Sequence, residues 1–240
     1  MSSDSTQPTA RREFIGQLAA SAIIIAGTAC APAVAASSSA NPTPAPRPPA
    51  PATPHWDGSW FGRLTAKHKA VFDSPEIDEG LAVFQAVSYV TGMHDAIGAA
   101  EGDVQAVLVM RHAGIPMAFN DAMWEKYDIG KETKTKDPAG KWVRRNPCLD
   151  TSASRPSRPG NADRPRSDLA WLASHGHILL GCDLATRGHA GIIAGRVKGD
   201  SRAIYEELKA NLVPGVILQP TGVYAVHRAQ EAGCTYIRST

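Results

Sequence analysis

The chain has 240 residues, 43% of them hydrophobic, and a formal net charge of +2 from 25 basic and 23 acidic side chains. That near balance excludes the strongly basic character of a general nucleic-acid binder, and the apolar fraction excludes a wholly disordered chain. The four cysteines fit no zinc-ribbon spacing and include no C-x-x-C pair, so neither a structural zinc site nor any other metal or cofactor is expected from them.

Residues 1–36 read as a twin-arginine signal peptide. A polar stretch ends in Arg11-Arg12-Glu13-Phe14-Ile15, an apolar run follows over 18–29, and small residues offer cleavage at Ala33-Val34-Ala35 or earlier at Ala29-Cys30-Ala31. Either cut removes Cys30. A retained anchor over 18–36 is the competing reading, weakened by Ser21, Gly27, Thr28 and Pro32. Lipidation of Cys30 would need a branched aliphatic residue where Gly27 stands. The expected location is periplasmic or otherwise exported, with membrane contact only during export. Residues 37–54, rich in Ala, Pro, Ser and Thr, form a linker too poor in large apolar side chains to fold. Residues 55–240 suit a single domain.

Within that domain short β-like runs alternate with helical patterns. Residues 69–73 are the first expected strand, and 77–100 a helix with Val83, Val87 and Val90 on one face. The run 104–110 is almost continuously apolar, as a central strand covered on both sides must be. Residues 116–127 read as helical. Periodicity fails over 130–165, where ten Lys or Arg lie between Lys131 and Arg166 against four Asp or Glu. A solvated basic loop is expected there, without the interleaved aromatics of a nucleic-acid surface.

Ser167 reads as the cap of a helix over 168–174, Gly176 stops it, and 177–182 is the third strand. Helices at 183–196 and from Asp200 or Ser201 to 212 precede a fourth strand at 216–218. A helix over 221–232 and a strand over 234–237 close the chain. This order predicts an α/β fold, an open doubly wound and mainly parallel five-stranded sheet with helices on both faces. Its ligand crevice would lie beyond the carboxyl ends of the strands, where His112 and Cys182 fall.

Several motifs resemble the DsrE/DsrF-like sulfur-relay family. They are Asn120-Asp121, the segment Cys182-Asp-Leu-Ala-Thr-Arg-Gly188, then Val213-Pro-Gly-Val216, Gly222-Val-Tyr-Ala, and Gln230-Glu-Ala-Gly-Cys-Thr-Tyr-Ile237. The resemblance covers about two thirds of the chain. It implies the DsrE-like fold, a cysteine that carries sulfur as a persulfide at Cys182, a sulfur donor or acceptor protein as partner, and assembly into homo-oligomers. Export and the long basic segment depart from the relay members.

Independently of that resemblance, Cys182 stands where a strand gives way to a helix, so backbone N–H groups can face its sulfur, while the neighbouring Asp183 opposes a negative charge there. The competing reading is a buried structural cysteine. Cys148, beside Arg144 and Arg145, is a candidate resolving thiol or an ordinary exposed loop cysteine, and Cys234 reads as packed. A noncatalytic module binding a small ligand or metal, with His112, His175, His177 and His189 converging on Cys182 in the metal case, or an oligomeric assembly protein of the same fold, is the alternative function. No G-x-G-x-x-G, P-loop, H-E-x-x-H or G-x-S-x-G occurs.

Overall fold

The run Val104–Met110 contains one polar side chain, Gln105, and every other residue in it is buried. Such a strand is stable only between two apolar layers. A computed structural model describes residues 56–149 and 168–240. The expected signal peptide (1–36) and linker (37–54), His55 and the part of the basic segment from 150 to 167, Ser167 included, lie outside the described residues.

The chain runs α1 (Ser59–Gly62), β1 (His68–Ser74), a 3-10 turn (Asp78–Gly80), α2 (Leu81–Ile97), β2 (Val104–Met110) and a second 3-10 segment (His112–Ala118). There follow α3 (Asp121–Lys126), α4 (Ile129–Glu132), α5 (Leu169–Ser174), β3 (Ile178–Cys182), α6 (Asp183–Val197), α7 (Ser201–Ala210), β4 (Val216–Gln219), α8 (Gly222–Glu231) and β5 (Thr235–Arg238). The five strands pair in the order β4-β3-β2-β1-β5, all parallel.

Alternate side chains of the inner strands feed two cores. Phe72, Leu108, Met110 and Leu179 face α2 and the α5–α7 side, where Val83, Leu172, Ile193 and Leu208 pack. Val71, Val107, Val109 and Leu180 face Trp60 of α1 and Ala225 and Ala229 of α8. The asymmetry follows from handedness. From β1 to β4 the chain steps outward in one direction, so right-handed crossovers put those helices on one face, and the return from β4 to β5 puts α8 on the other. The strand order therefore reverses beside β1, the position at which open α/β sheets form a crevice.

Three expectations need correction. The helix expected over 116–127 is broken: Phe119 and Asn120 are extended, Phe119 bridges Leu212, and Asn120 accepts the Met123 N–H at 3.2 Å to restart the chain as α3. The same bridge takes Leu212 out of α7, which stops at Ala210. The described part of the basic segment keeps its Lys and Arg side chains exposed, as expected, while its backbone is ordered. It forms α4 and a turned hairpin closed by the Lys136–Trp142 bridge, Arg144 and Arg145 reach Asp128 and Asp121, and Val143 packs on the core. Among the described residues the segment adds no strand to the sheet. The cap of α5 is Asp168, whose Oδ1 accepts the Trp171 N–H at 2.6 Å.

Candidate functional site

The loops leaving β1, β2, β3 and β4 surround one cleft of about 1030 Å³ at the carboxyl edge of the sheet. Glu76 to Glu79, Arg111 to Ala113, the start of α6 and Thr221 to Val223 supply its floor and sides, and residues 132–137 form the remaining wall. Six non-glycine residues among those described have positive φ, and four of them, Asp78, Glu79, His112 and Lys134, line this cleft. Left-handed backbone at such residues costs about 1–3 kcal/mol each, and concentrates at functional sites.

Cys182 ends β3 and caps α6. Its Sγ accepts the Ala185 N–H at 3.3 Å, and the residue is 6% exposed. Asp183, the neighbouring charge that opposes a thiolate at Cys182, does not turn to solvent. It is buried, paired with Arg187 at 2.7 Å and bonded by the Tyr205 hydroxyl at 2.6 Å. Burial, with the Asp183 hydrogen bond, pushes Tyr205 up to about 12, so the phenol remains a donor and the carboxylate remains compensated.

Arg111 crosses the cleft floor. Its Nε and NH2 donate to the two Asp73 oxygens at 2.6 and 2.8 Å, and Tyr236 adds a third donor to Asp73 at 2.9 Å. Asp73 is buried, so this bidentate pair neutralises a charge at the end of β1. The Asp73 bonds raise the Arg111 pKa above its ordinary value despite partial burial, and Cys182 lies near enough to contribute in the same direction. Gly222 makes the crossing possible, because a Cβ there would stand 2.4 Å from Arg111 Cβ.

His189 lines the cleft two helical turns beyond Cys182. Its Nδ1 stands 3.3 Å from Glu132 Oε1, and its buried Nε2 has no hydrogen-bond partner. Burial pushes the imidazole down to about 4 and raises the Glu132 carboxyl. The carboxylate therefore selects the neutral tautomer with the proton on Nδ1, leaving a lone pair on Nε2. Around the mouth, Leu184, Ile192 and Val223 are exposed aliphatics.

The other sequence-derived candidates separate. His112 lines the cleft and is exposed. Cys148 is not an exposed loop thiol: it is buried beneath Gly80, its N–H bonds Asn146, and it does not line the cleft. Asn146 holds that loop inward by donating to Met117 and Phe119 carbonyls at 2.8 and 2.7 Å. Cys234 is buried, and burial pushes its thiol up to about 11. His175 and His177 do not converge with Cys182, because they precede β3 while Cys182 ends it. Among the described residues no group of three or more His, Cys, Asp or Glu is placed to hold a metal. Sequence reasoning missed Asp73, Arg111, Glu132 and Tyr236. The spacing of Cys182, Ala185, His189 and Ile192 on one helical face was the available signal for the α6 wall.

His177 provides a test of the buried neutral histidines. Its Nδ1 accepts the Ala106 N–H at 3.3 Å, and burial, aided by His175 and His94, pushes it down to about 4. Since the folded value lies below the unfolded one, the unfolded chain binds more protons between pH 6.5 and 4. The stabilising neutral state is fully present above pH 6.5 and is lost as pH falls through that window. Urea unfolding at pH 5 should show a loss of about 2 kcal/mol from each such histidine relative to pH 7. Glu132 acts in the opposite sense beside His189, so His177 is the cleaner reporter. His177→Phe should flatten the profile, and a slope unchanged in that variant would reject the assignment.

No known protein family and no curated protein matches the chain. A solved structure that resembles it is a protein of unknown function, MTH1491, from Methanobacterium thermoautotrophicum, at 17% identity and a TM-score of 0.38, covering 71% of this chain and 98% of that one.

Proposed function

We propose that this protein is an exported sulfur carrier of the DsrE-like kind, holding sulfur as a persulfide on Cys182 and exchanging it with a donor or acceptor protein. The supporting observation is the placement of the Cys182 sulfur, which receives the Ala185 N–H at the start of α6 beside the Arg111 side chain, at the floor of the cleft. A persulfide adds one sulfur beyond Sγ, and the terminal anion needs N–H and cationic partners of this type. The compensated Asp183 removes the main opposing charge. Cys148 and Cys234 are buried away from the cleft, which favours a single carrier thiol over a disulfide pair.

Intact mass of the native protein before and after reductant tests the reading. One additional sulfur atom, removed by reductant and absent from Cys182→Ser, is the expected result. Alkylation near neutral pH should also label Cys182 before Cys148 and Cys234. A protein whose Cys182 never gains sulfur from polysulfide, and labels only after unfolding, would leave the cysteine structural.

Export is tested separately. Arg11→Lys with Arg12→Lys should leave precursor in the cytoplasm, because the twin-arginine pathway reads the pair as an address. The mature chain should begin between Pro32 and Ser38. Normal translocation of the double variant would remove the export element of the proposal.

A further inference from the structure

The cleft has two chemically different ends on either side of Cys182. At one end Arg111 meets the start of α8, whose Thr221 side chain caps Tyr224 and whose residues Gly222 and Val223 line the cleft. At the other end His189, 6% exposed, presents a buried Nε2 without a partner, next to the Glu132 carboxylate. The first end suits a carboxylate, through the Arg111 NH1 edge that takes no part in the Asp73 pair and a helix N-terminus. The second suits an ammonium group, through the Glu132 carboxylate, which lines the cleft between His189 at 3.3 Å and Arg196 at 3.5 Å. From Cys182 to His189 the helix rises about 10 Å, which is about the reach from a cysteinyl sulfur to the amino group of the residue linked to it, so the ligand carries its thiol between two flanking residues.

We propose that the cleft takes a low-molecular-weight peptide thiol persulfide of about tripeptide length, with a carboxylate at Arg111 and an ammonium group at Glu132 beside His189. This deepens the sulfur-carrier reading and rests on it for the transfer step. In that step the Cys182 thiolate attacks the outer sulfur of R–S–SH. The Cys182 Sγ–S bond forms, the S–S bond of the donor breaks, the proton stays on the transferred sulfur, and R–S⁻ leaves and is protonated by solvent. No external oxidant or reductant is required. Leu184, Ile192 and Val223 provide aliphatic surface for the peptide stem.

The test uses the full mature chain with glutathione as the binding probe, glutathione persulfide as donor, and inorganic polysulfide as a donor lacking both recognition ends. Glutathione should bind at one site and slow loading of Cys182 by glutathione persulfide. Its glycyl ethyl ester and its N-acetyl form should each bind about tenfold more weakly. Because these changes are made on the ligand, the fold is untouched. His189→Gln should weaken glutathione binding by a similar factor and abolish the penalty for N-acetylation.

Equal binding of all three forms, or the absence of glutathione binding, overturns the proposal. If polysulfide still loads Cys182 in that case, the carrier reading survives. If neither donor loads Cys182 while glutathione binding keeps its dependence on both ends, the ligand class stands and the carrier reading fails.

Discussion

Gly114→Ala should destabilise the protein by about 3 kcal/mol and lower its Tm by on the order of 10 °C. A Cβ at this position would stand 2.5 Å from the Ser74 carbonyl oxygen and 3.0 Å from that of Glu76. Both are backbone atoms, so a rotamer change cannot relieve the clash. Nor can the loops separate freely. The Ser74 carbonyl accepts the Arg111 N–H at 3.1 Å, and the Gly114 N–H is shared between Pro75 and Arg111 carbonyls at 2.9 and 2.8 Å. The methyl group therefore pushes apart the exits of β1 and β2, which place Glu76 and Arg111 in the cleft. Urea unfolding would measure the loss, and an alanine variant within 0.5 kcal/mol of the parent would show that the loops have room to yield.

Arg111→Met should cost about 3–5 kcal/mol, because it leaves the buried Asp73 carboxylate with the Tyr236 hydroxyl as its remaining side-chain donor. Methionine keeps apolar atoms against Gly222, so the loss reports charge more than packing. The same variant removes the carboxylate end of the cleft. The second substitution in a cycle, Asp73→Asn, removes the stranded charge, and the pair should recover about 2 kcal/mol or more of the single loss. Additive losses would mean that Arg111 contributes by contact with α8 alone. Glutathione binding should fall in both the single and double variants, which separates ligand recognition from stability.

The cleft and the sheet were legible to different degrees. The strand spans expected at 104–110 and 216–218 match β2 and β4 to within one residue at either end: the first is an apolar run buried on both faces, and the second is a short apolar run between Pro214-Gly215 and Pro220 on a partly buried edge strand. Cys182 was found for a similar reason: it ends an apolar run immediately before a helical pattern. The break at Phe119 was missed because the bridge that causes it involves Leu212, far along the chain. Cys148 was misread as exposed because its neighbours in sequence are arginines, whereas its position is set by Asn146 reaching two carbonyls of the 3-10 segment and its end.

By itself the sequence determined the α/β class, the five strands and the cysteine at the head of α6, since period, run length and capping residues act within a few residues of one another. Parallel pairing decided the rest. It set Asp73 beside Arg111, 38 residues away, and beside Tyr236, 163 residues away. The crossovers on one face likewise brought Glu132 to His189. A charge pair or a buried imidazole leaves no periodic mark in its own segment. Its partner is chosen by strand register and crossover handedness, which exist only once the sheet has formed.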